Sequence, residues 1–221
     1  MCNLYSNDTG LELIRAAIRQ LQLDFVPEPA LGNFPGQPRI YPDQDAGVVH
    51  VTADGAAAFS QMRWGFPPAV TGKPAITNIR NLKSRWWTKV NGEYLLSPQY
   101  RCLVPFTRFA EPLVGRRNAW FAVPDREVSW FAGIWRPWHG ERLAPVPGKS
   151  RRQRTEDDWR LYAFLTTEPN SVVEPIHPKA MPVILTDPDD CRTWLAGGEG
   201  SLALQRPLPS DFLEIAQEDP A

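Results

Sequence analysis

Cys2 directly follows the initiator methionine, in the sequence MCNLYS. Methionine aminopeptidases remove Met1 when the second residue is small, and this would leave Cys2 with a free α-amine beside its thiol. The ordinary pKa values of these two groups are about 8 and about 8.5. Such a 1,2-aminothiol can condense with an aldehyde to a Schiff base, and its thiol can then close a thiazolidine ring in an intramolecular step. A terminal cysteine also suits amide hydrolysis, with the thiolate as nucleophile and the α-amine as base.

Position alone leaves a second interpretation open, in which Cys2 is an incidental residue on a frayed terminus. The other two cysteines differ from it. Cys102 lies in the apolar run RCLVPF and Cys191 lies on an amphipathic segment, so both are expected to be buried, inert thiols. Because the three cysteines are far apart and form no CxxC pair, we expect neither a disulfide framework nor a zinc site.

Three polar residues in apolar or conformationally restricted segments are candidates to assist Cys2. His177, in EPIHPKAMPVIL, is a candidate proton shuttle near neutral pH, or a structural histidine. Glu111, at the end of VPFTRFAEP, is a candidate general acid or base with a raised pKa, or the partner of a nearby arginine. Asn78, in AITNIRN, is a candidate to orient a carbonyl or a sugar hydroxyl, or a helix N-cap.

Basic and aromatic residues alternate in NIRNLKSRWWTK, and RWGFPP adds a second such cluster. This composition is typical of a groove for single-stranded nucleic acid, in which cations follow phosphates and flat rings stack on bases. In the alternative interpretation, the tryptophans are core residues and the cations form a solvated face. The formal net charge of the chain is -1, so a nucleic-acid partner would need a local basic groove. The residues concerned are Arg63, Trp64, Phe66, Arg80, Lys83, Arg85, Trp86, Trp87 and Lys89.

Short strands joined by turns are expected to position these side chains, because the chain contains 23 prolines and 15 glycines. We predict an α+β fold: a β-rich domain with a barrel-like or two-layer arrangement of antiparallel sheets and with peripheral helices. Helices are predicted near both ends of the chain, at residues 7–22 and 187–198. The predicted strands lie at residues 47–53, 56–66, 100–112, 118–124, 128–138, 160–170 and 180–186, and the strand at 100–112 is expected to bend at a proline.

We expect residues 1–221 to form a single domain. Residues 139–159 are charged and contain prolines, which indicates a mobile surface insertion, although their RRQR motif could contact a polyanion. Residues 208–221 are expected to form a turn or two and then a frayed tail. No secretory signal and no apolar run of about 18 residues is present, so a cytoplasmic protein without membrane contact is expected. A monomer is expected as well.

The segments described above, taken in order, resemble the SRAP family, the SOS response associated peptidases that process abasic sites. The resemblance rests on an N-terminal MC, then RWGFPP, TNIRN, RCLVPFTRFAEP and IHPKAMPVIL, which together extend from residue 2 to about residue 195. Each fragment is weak alone, but five in the right order are highly specific. The resemblance implies a β-rich domain with a basic groove for single-stranded DNA.

The resemblance also implies a chemistry: the terminal cysteine forms a thiazolidine with the ring-opened aldehyde of an abasic site. No cofactor and no metal is then required, and the partner is single-stranded DNA that contains abasic sites. Weak lyase activity is expected as a side reaction of the Schiff base. The implied catalytic residues are Cys2, Asn78, Glu111 and His177. The DNA-binding candidates are Arg80, Trp64, Gly65, Pro42 and Thr166, to which the basic and aromatic composition adds Arg85.

The chain departs from the family pattern at several positions. It begins MCNL where MCGR is common, so Leu4 replaces a basic residue, and Pro112 stands where a tryptophan is common. NIRNLK and HPKAMP differ from the usual motifs around the asparagine and the histidine. Two other functions remain open: an N-terminal-nucleophile peptidase or amidohydrolase that acts on its own leader, and a single-stranded DNA binder without catalysis.

Overall fold

A computed structural model of the chain describes residues 2–28, 31, 34–68, 73–115, 117–144, 146 and 148–219. The first seven strands are β1 (Tyr5–Asn7), β2 (Phe25–Pro27), β3 (Gln37–Ile40), β4 (Asp45–Val51), β5 (Ala57–Trp64), β6 (Asn78–Ile79) and β7 (Arg101–Phe106). They are followed by β8 (Arg108–Pro112), β9 (Asn118–Ala122), β10 (Ser129–Ala144), β11 (Gln153–Thr167), β12 (Met181–Pro182), β13 (Ile184–Leu185) and β14 (Glu214–Glu218). The helices are α1 (Leu11–Gln20), α2 (Gly92–Leu96) and α3 (Pro188–Ala196), with a π-helical turn at Trp86–Val90 and 3-10 turns at Pro98–Tyr100, Glu199–Leu204 and Ser210–Phe212.

Five strands form a closed barrel in the order β11-β10-β7-β4-β5, and a parallel pairing of β5 with β11 completes the ring. The other neighbours in the ring are antiparallel. Strand β7 shows why a continuous apolar sequence forms a strand here: both of its faces are buried. Leu103 packs into one apolar cluster, whereas Cys102 and Val104 pack into the other. The predicted β-rich α+β fold with a barrel-like sheet and peripheral helices is confirmed.

A second sheet, in the order β14-β9-β8-β1-β3, carries the N-terminal end of the described chain. Thr107 alone separates β7 from β8, so the chain passes directly from the barrel into this sheet. Strand β8 pairs with β1, and the backbone N–H of Ala110 donates to the carbonyl of Leu4 at 2.9 Å. Glu111 is therefore held close to the first residues of the chain.

Two segments are more regular than their composition indicates. Within the expected insertion at residues 139–159, residues 139–144 and 153–158 continue β10 and β11 as a paired antiparallel hairpin. Within the expected tail, Glu214–Glu218 forms β14, which pairs with β9 at the edge of the second sheet. Backbone pairing provides the order in both segments, within the hairpin itself in the first and with the distant strand β9 in the second, and residue composition does not record such pairing. That residues 1–221 form a single domain stays a prediction.

The helices pack around this framework. As predicted, α3 begins after Asp187, whose side chain accepts hydrogen bonds from the backbone N–H groups of Asp189 and Asp190. It ends at Gly197, which has a positive φ. The predicted helix at residues 7–22 is shorter, with Gly10 as its N-cap. Among the described residues, no helix combines the length and the apolar character that a membrane span requires.

Candidate active site around Cys2

Cys2 lies at the entry to β1 and is 1% exposed. Its thiol donates to the carbonyl of Leu4 at 3.4 Å. Burial raises the pKa of this thiol, and the nearby negative charge of Glu111 raises it further. A residue so enclosed is not part of a frayed terminus, and whether Cys2 has a chemical role depends on the groups around it.

Asn78 holds the backbone of Cys2. Its Nδ2 donates to the Cys2 carbonyl at 2.9 Å and to Oγ1 of Thr77 at 2.8 Å. Asn78 is fixed because β6 pairs with β11, opposite Phe164. It is therefore a strand residue and not a helix N-cap. Its buried Oδ1 accepts no hydrogen bond from the part of the chain that the structure describes, which makes it an acceptor for a bound substrate.

Glu111 supplies a buried carboxylate on β8, with no exposed surface. Desolvation raises the pKa of this carboxyl from 4.5 to about 7. The carboxyl group is then divided between its acid and base forms at neutral pH, which suits a group that exchanges protons in both directions. Its Oε2 lies 4.0 Å from Nδ1 of His177.

His177 approaches Glu111 from the segment that leads into β12. Its Nδ1 lies 2.7 Å from the carbonyl of Ala180. Because a carbonyl only accepts, Nδ1 carries the proton of the neutral ring and Nε2 carries its lone pair. Desolvation lowers the pKa of His177, so the imidazole is neutral at pH 7. The structure thus brings together the four residues that the motifs select.

A cavity of about 670 Å³ opens beside this group. Its wall includes the immediate neighbours in sequence of Cys2, Asn78 and Glu111, whereas these three residues do not line it themselves. Leu4 and Pro112, two positions where the chain departs from the family pattern, both lie on this wall, and Leu4 also packs against Ala110 and Trp120. The lining residues are Asn3, Leu4, Tyr41, Pro42, Asp43, Pro74, Ala75, Thr77, Ala110, Pro112, Asn118 and Arg142.

Trp64, a DNA-binding candidate, is fully buried. Its ring lies between Tyr5 and Phe164, with centroid distances of 5.1 and 5.2 Å. Its Nε1 donates to the carbonyl of Thr77 at 3.1 Å. The ring has no exposed surface with which to stack on a base, and its hydrogen bond holds the residue before Asn78, so a direct contact of Trp64 with DNA stays a prediction.

Gly65 has a φ of +122°, in the region that favours glycine. A Cβ here would lie 2.8 Å from Cβ of Ala75, a residue of the cavity wall. The Gly65 carbonyl accepts a hydrogen bond from Arg142. Gly65 thus permits a close approach of two loops beside the cavity, and Pro42 lies on the same cavity wall.

The remaining DNA-binding candidates differ in accessibility. Arg80 is exposed, and its guanidinium donates to the carbonyl of Lys179 at 3.2 Å and lies 3.7 Å from Glu168. Arg85 is exposed and has no ion pair with any described residue. Thr166 lies on β11 and is 1% exposed, and its Oγ1 has no hydrogen-bond partner among the described residues, so the phosphate contact expected of it stays a prediction.

Arg142 and Thr77 are site residues that sequence reasoning missed. Arg142 lies in the segment interpreted as an insertion, and nothing in the local sequence distinguishes it from its charged neighbours. Thr77 directly precedes Asn78, and its role depends on a hydrogen bond that only the fold creates. Within the described ranges, no group of three or more His, Cys, Asp or Glu residues has the geometry to hold a metal ion.

Comparison with known proteins places this site in a family. The model of the family described as SOS response associated peptidase (SRAP) matches residues 1–217. A protein from Bordetella bronchiseptica has a similar solved structure, with a TM-score of 0.71 and 19% sequence identity, covering 96% of this chain and 97% of its own. A protein from Bacteroides thetaiotaomicron follows with a TM-score of 0.67 and 21% identity, covering 96% and 90%.

A phage-related protein from Bordetella bronchiseptica also matches, with a TM-score of 0.63, 17% identity and coverage of 100% of this chain and 94% of its own. These likenesses show a shared fold. Comparison with curated proteins gives no significant match. Because the family model spans nearly the whole sequence, the resemblance drawn from the motifs is confirmed, and the chain belongs to the SOS response associated peptidase (SRAP) family.

Proposed function

We propose that this protein captures abasic sites in single-stranded DNA through a covalent thiazolidine between Cys2 and the ring-opened sugar. The observation that carries the proposal is the enclosure of Cys2 beside Asn78 and Glu111, with a cavity at the same place. A buried terminal aminothiol with adjacent proton-transfer groups has little use in a passive DNA binder. It is suited to an aldehyde that enters through the cavity.

The reaction begins after removal of Met1. The α-amine of Cys2 adds to C1′ of the aldehyde, and the resulting carbinolamine loses water to give a Schiff base. The thiol of Cys2 then adds to the carbon of the C=N bond, and its proton passes to the nitrogen. The products are one thiazolidine and one water molecule, so no oxidant, metal or organic cofactor is required.

Glu111 and His177 have complementary roles in this sequence. A carboxyl group with a pKa of about 7 can donate the proton that converts the carbinolamine oxygen to water. The resulting carboxylate can then accept the thiol proton as the ring closes. The neutral imidazole of His177 lies beside Glu111, with its Nδ1 4.0 Å from Oε2, and its Nε2 lone pair can accept a proton from the sugar oxygen and return it.

The buried thiol also argues against the alternative of amide hydrolysis. A cysteine that attacks an amide must act as a thiolate, and burial raises the pKa of Cys2 away from that form. A protonated Schiff base can react with a weaker nucleophile, because its C=N carbon is a stronger electrophile than an amide carbonyl. The peptidase in the family's description is therefore the second candidate, and its substrate would be a short leader of this chain.

The test is incubation with an oligonucleotide that contains one abasic site, followed by a denaturing gel. The wild-type protein is expected to give a shifted, heat-stable band, and Cys2→Ala is expected to give none. Mass spectrometry of the purified wild type must show loss of Met1, because a retained methionine blocks the amine. If a demethionylated wild type gives no band, or if Cys2→Ala gives the same band, the proposal is wrong. Release of peptides by the same preparation would favour the peptidase.

A further inference from the structure

The hairpin of β10 and β11 extends past the barrel and ends in a strongly basic segment. Residues 148–154, GKSRRQR, contain four cations and no carboxylate. We call residues 138–144 and 148–159 the arm, and residues 148–154 its tip. Lys149, Arg151 and Arg152 are exposed, and none of them forms an ion pair with any residue that the structure describes. The function proposed above leaves this charge unused.

Three of the four carboxylates of the arm lie beside a cation or a histidine, and the fourth, Asp157, accepts a hydrogen bond from the backbone N–H of Asp158. Asp158 lies 2.9 Å from Nδ1 of His139, and Glu156 lies 3.5 Å from its Nε2. These neighbours raise the pKa of His139, with the hydrogen bond to Asp158 as the largest cause. Glu141 lies 3.3 Å from Arg154. The positive charge on the three remaining tip cations is therefore not cancelled by the arm itself.

The tip is anchored at the cavity beside Cys2. Arg152 donates to the backbone carbonyl of Asp43 at 2.9 Å, and Asp43 lines that cavity. Arg142, which also lines it, lies 3.1 Å from a carboxylate oxygen of Asp43 and donates to the carbonyl of Gly65. The guanidinium of Arg142 also lies 5.4 Å from the ring of Trp138, at the base of the arm. These contacts fix the basic tip at the edge of the cavity.

We propose that the arm tip is a phosphate-binding site that holds single-stranded DNA where it leaves the cavity. Lys149, Arg151 and Arg152 provide the contacts. The choice of DNA as the polyanion rests on the proposed function. The pleat of β10 supports this arrangement, because Arg142 and Glu141 point to opposite faces and the acidic side chain is therefore directed away from the cavity.

The contact is electrostatic, so the number of phosphates that it neutralises can be measured from the salt dependence of the DNA-binding constant. Each phosphate neutralised on a single strand contributes about 0.7 to the slope of log K against log salt. Loss of Lys149 and Arg151 should therefore reduce the slope by about 1.4 and weaken binding about tenfold at low salt. The effect should be the same for every base sequence, because phosphates carry no sequence information.

The experiment measures binding of intact oligothymidylates, of about 6 and about 20 nucleotides, between 50 and 300 mM salt by fluorescence anisotropy. The test variant is Lys149→Gln/Arg151→Gln. The matched control is Arg19→Gln/Arg126→Gln, which removes the same charge from two exposed residues that do not line the cavity beside Cys2. With the longer strand we expect the slope of the test variant to be smaller than that of the wild type by about 1.4. We expect the variant to bind the short strand nearly as wild type does and to keep its crosslink yield at saturating abasic DNA.

Two results would overturn the assignment: an unchanged slope in the test variant, or an equal loss in the control. Equal competition by poly-glutamate and by DNA at matched charge would also overturn it, because the site would then be a general polyanion contact. Failure of the proposed function is distinguishable. In that case abasic DNA gives no crosslink with the wild type, whereas the change of slope on intact DNA is still measured.

Discussion

Cys2 and Cys102 are both buried cysteines of one apolar cluster, and desolvation raises the pKa of each thiol. They differ in their neighbours. The carboxylate of Glu111 and the amide of Asn78 adjoin Cys2, and its neighbours Asn3 and Leu4 line a cavity. Cys102 is enclosed within the barrel, where a Cβ added to Gly133 would lie 2.7 Å from its sulfur.

This comparison shows that a thiol's pKa and burial do not identify a reactive cysteine here, since both cysteines share them. The features that distinguish Cys2 are a cavity lined by its neighbours, the adjacent Glu111 and Asn78, and, in the proposed mechanism, a terminal amine after loss of Met1. Cys102 lacks these neighbours and is tightly packed instead, which suits an inert thiol. Substitutions can test each of these features by itself, beginning with the thiol.

The largest effect is expected from paired serine substitutions. Cys2→Ser keeps the α-amine but removes the sulfur, so the Schiff base can form and the thiazolidine cannot. The heat-stable crosslink should disappear, while a borohydride-trapped adduct should remain. Cys102→Ser should crosslink as wild type does, but the buried hydroxyl should lower the free energy of unfolding by about 1–3 kcal/mol. Denaturing gels and thermal melts measure both, and a crosslinking defect in Cys102→Ser would contradict the comparison.

The motifs located the neighbours of Cys2 correctly, because Asn78, Glu111 and His177 lie in segments whose type and order are specific. Whether the aromatic residues are buried or exposed could not be predicted in the same way. A tryptophan between cations has the same local sequence in a core as in a groove, and only packing against Tyr5 and Phe164 shows that Trp64 belongs to the core.

The arm illustrates a second limit of the sequence. Its charged residues and prolines are typical of a loop, but cross-strand register over residues 139–144 and 153–158 makes it a hairpin. Pairing of this kind depends on a partner strand and on side-chain contacts across the ladder, which a window of residues does not contain. For the same reason Arg142, whose partners lie 77 and 99 residues away, could not be recognised as a cavity residue.

A smaller effect is expected from Glu111→Gln, which keeps the shape of the side chain and removes its proton exchange. Crosslinking should slow by about 10²-fold, in the range for loss of a general acid or base. Glu168→Gln is the control, because Glu168 lies beside Arg80 but is largely exposed. Denaturing gels at several pH values measure the crosslinking rate of each variant. Equal slowing in the two variants would show that Glu111 has no special role.

The stability of the same variant tests the raised pKa directly. In the folded protein the pKa of Glu111 is about 7, above its value of 4.5 in the unfolded chain. Between these values the folded state binds more protons, so the free energy of unfolding of the wild type should fall as the pH rises from about 5 to about 7. Glu111→Gln should lose this part of the dependence. An identical pH profile in both proteins would contradict a buried, protonated Glu111.

The smallest effect is expected from Arg142→Met, which tests whether cavity shape also separates the two cysteines. The guanidinium joins Asp43 to Gly65, so its loss should loosen the wall of the cavity and leave the reactive residues in place. The substrate concentration needed for half-maximal crosslinking should rise a few-fold at an unchanged maximal rate. Arg142→Lys should restore only part of the affinity for the substrate. A lysine keeps the charge but cannot form both contacts in the planar geometry of a guanidinium.

The control for Arg142→Met is Arg160→Met, in which an arginine of β11 loses its ion pair with Glu28. Both residues of that pair line another cavity, away from Cys2. If Arg160→Met changes the substrate dependence as much as Arg142→Met, the effect is a general loss of stability and not a change of the cavity. A lower maximal rate in Arg142→Met would mean that the arm acts on the chemistry of Cys2. Access of the substrate through the cavity would then not be enough to explain why Cys2 reacts and Cys102 does not.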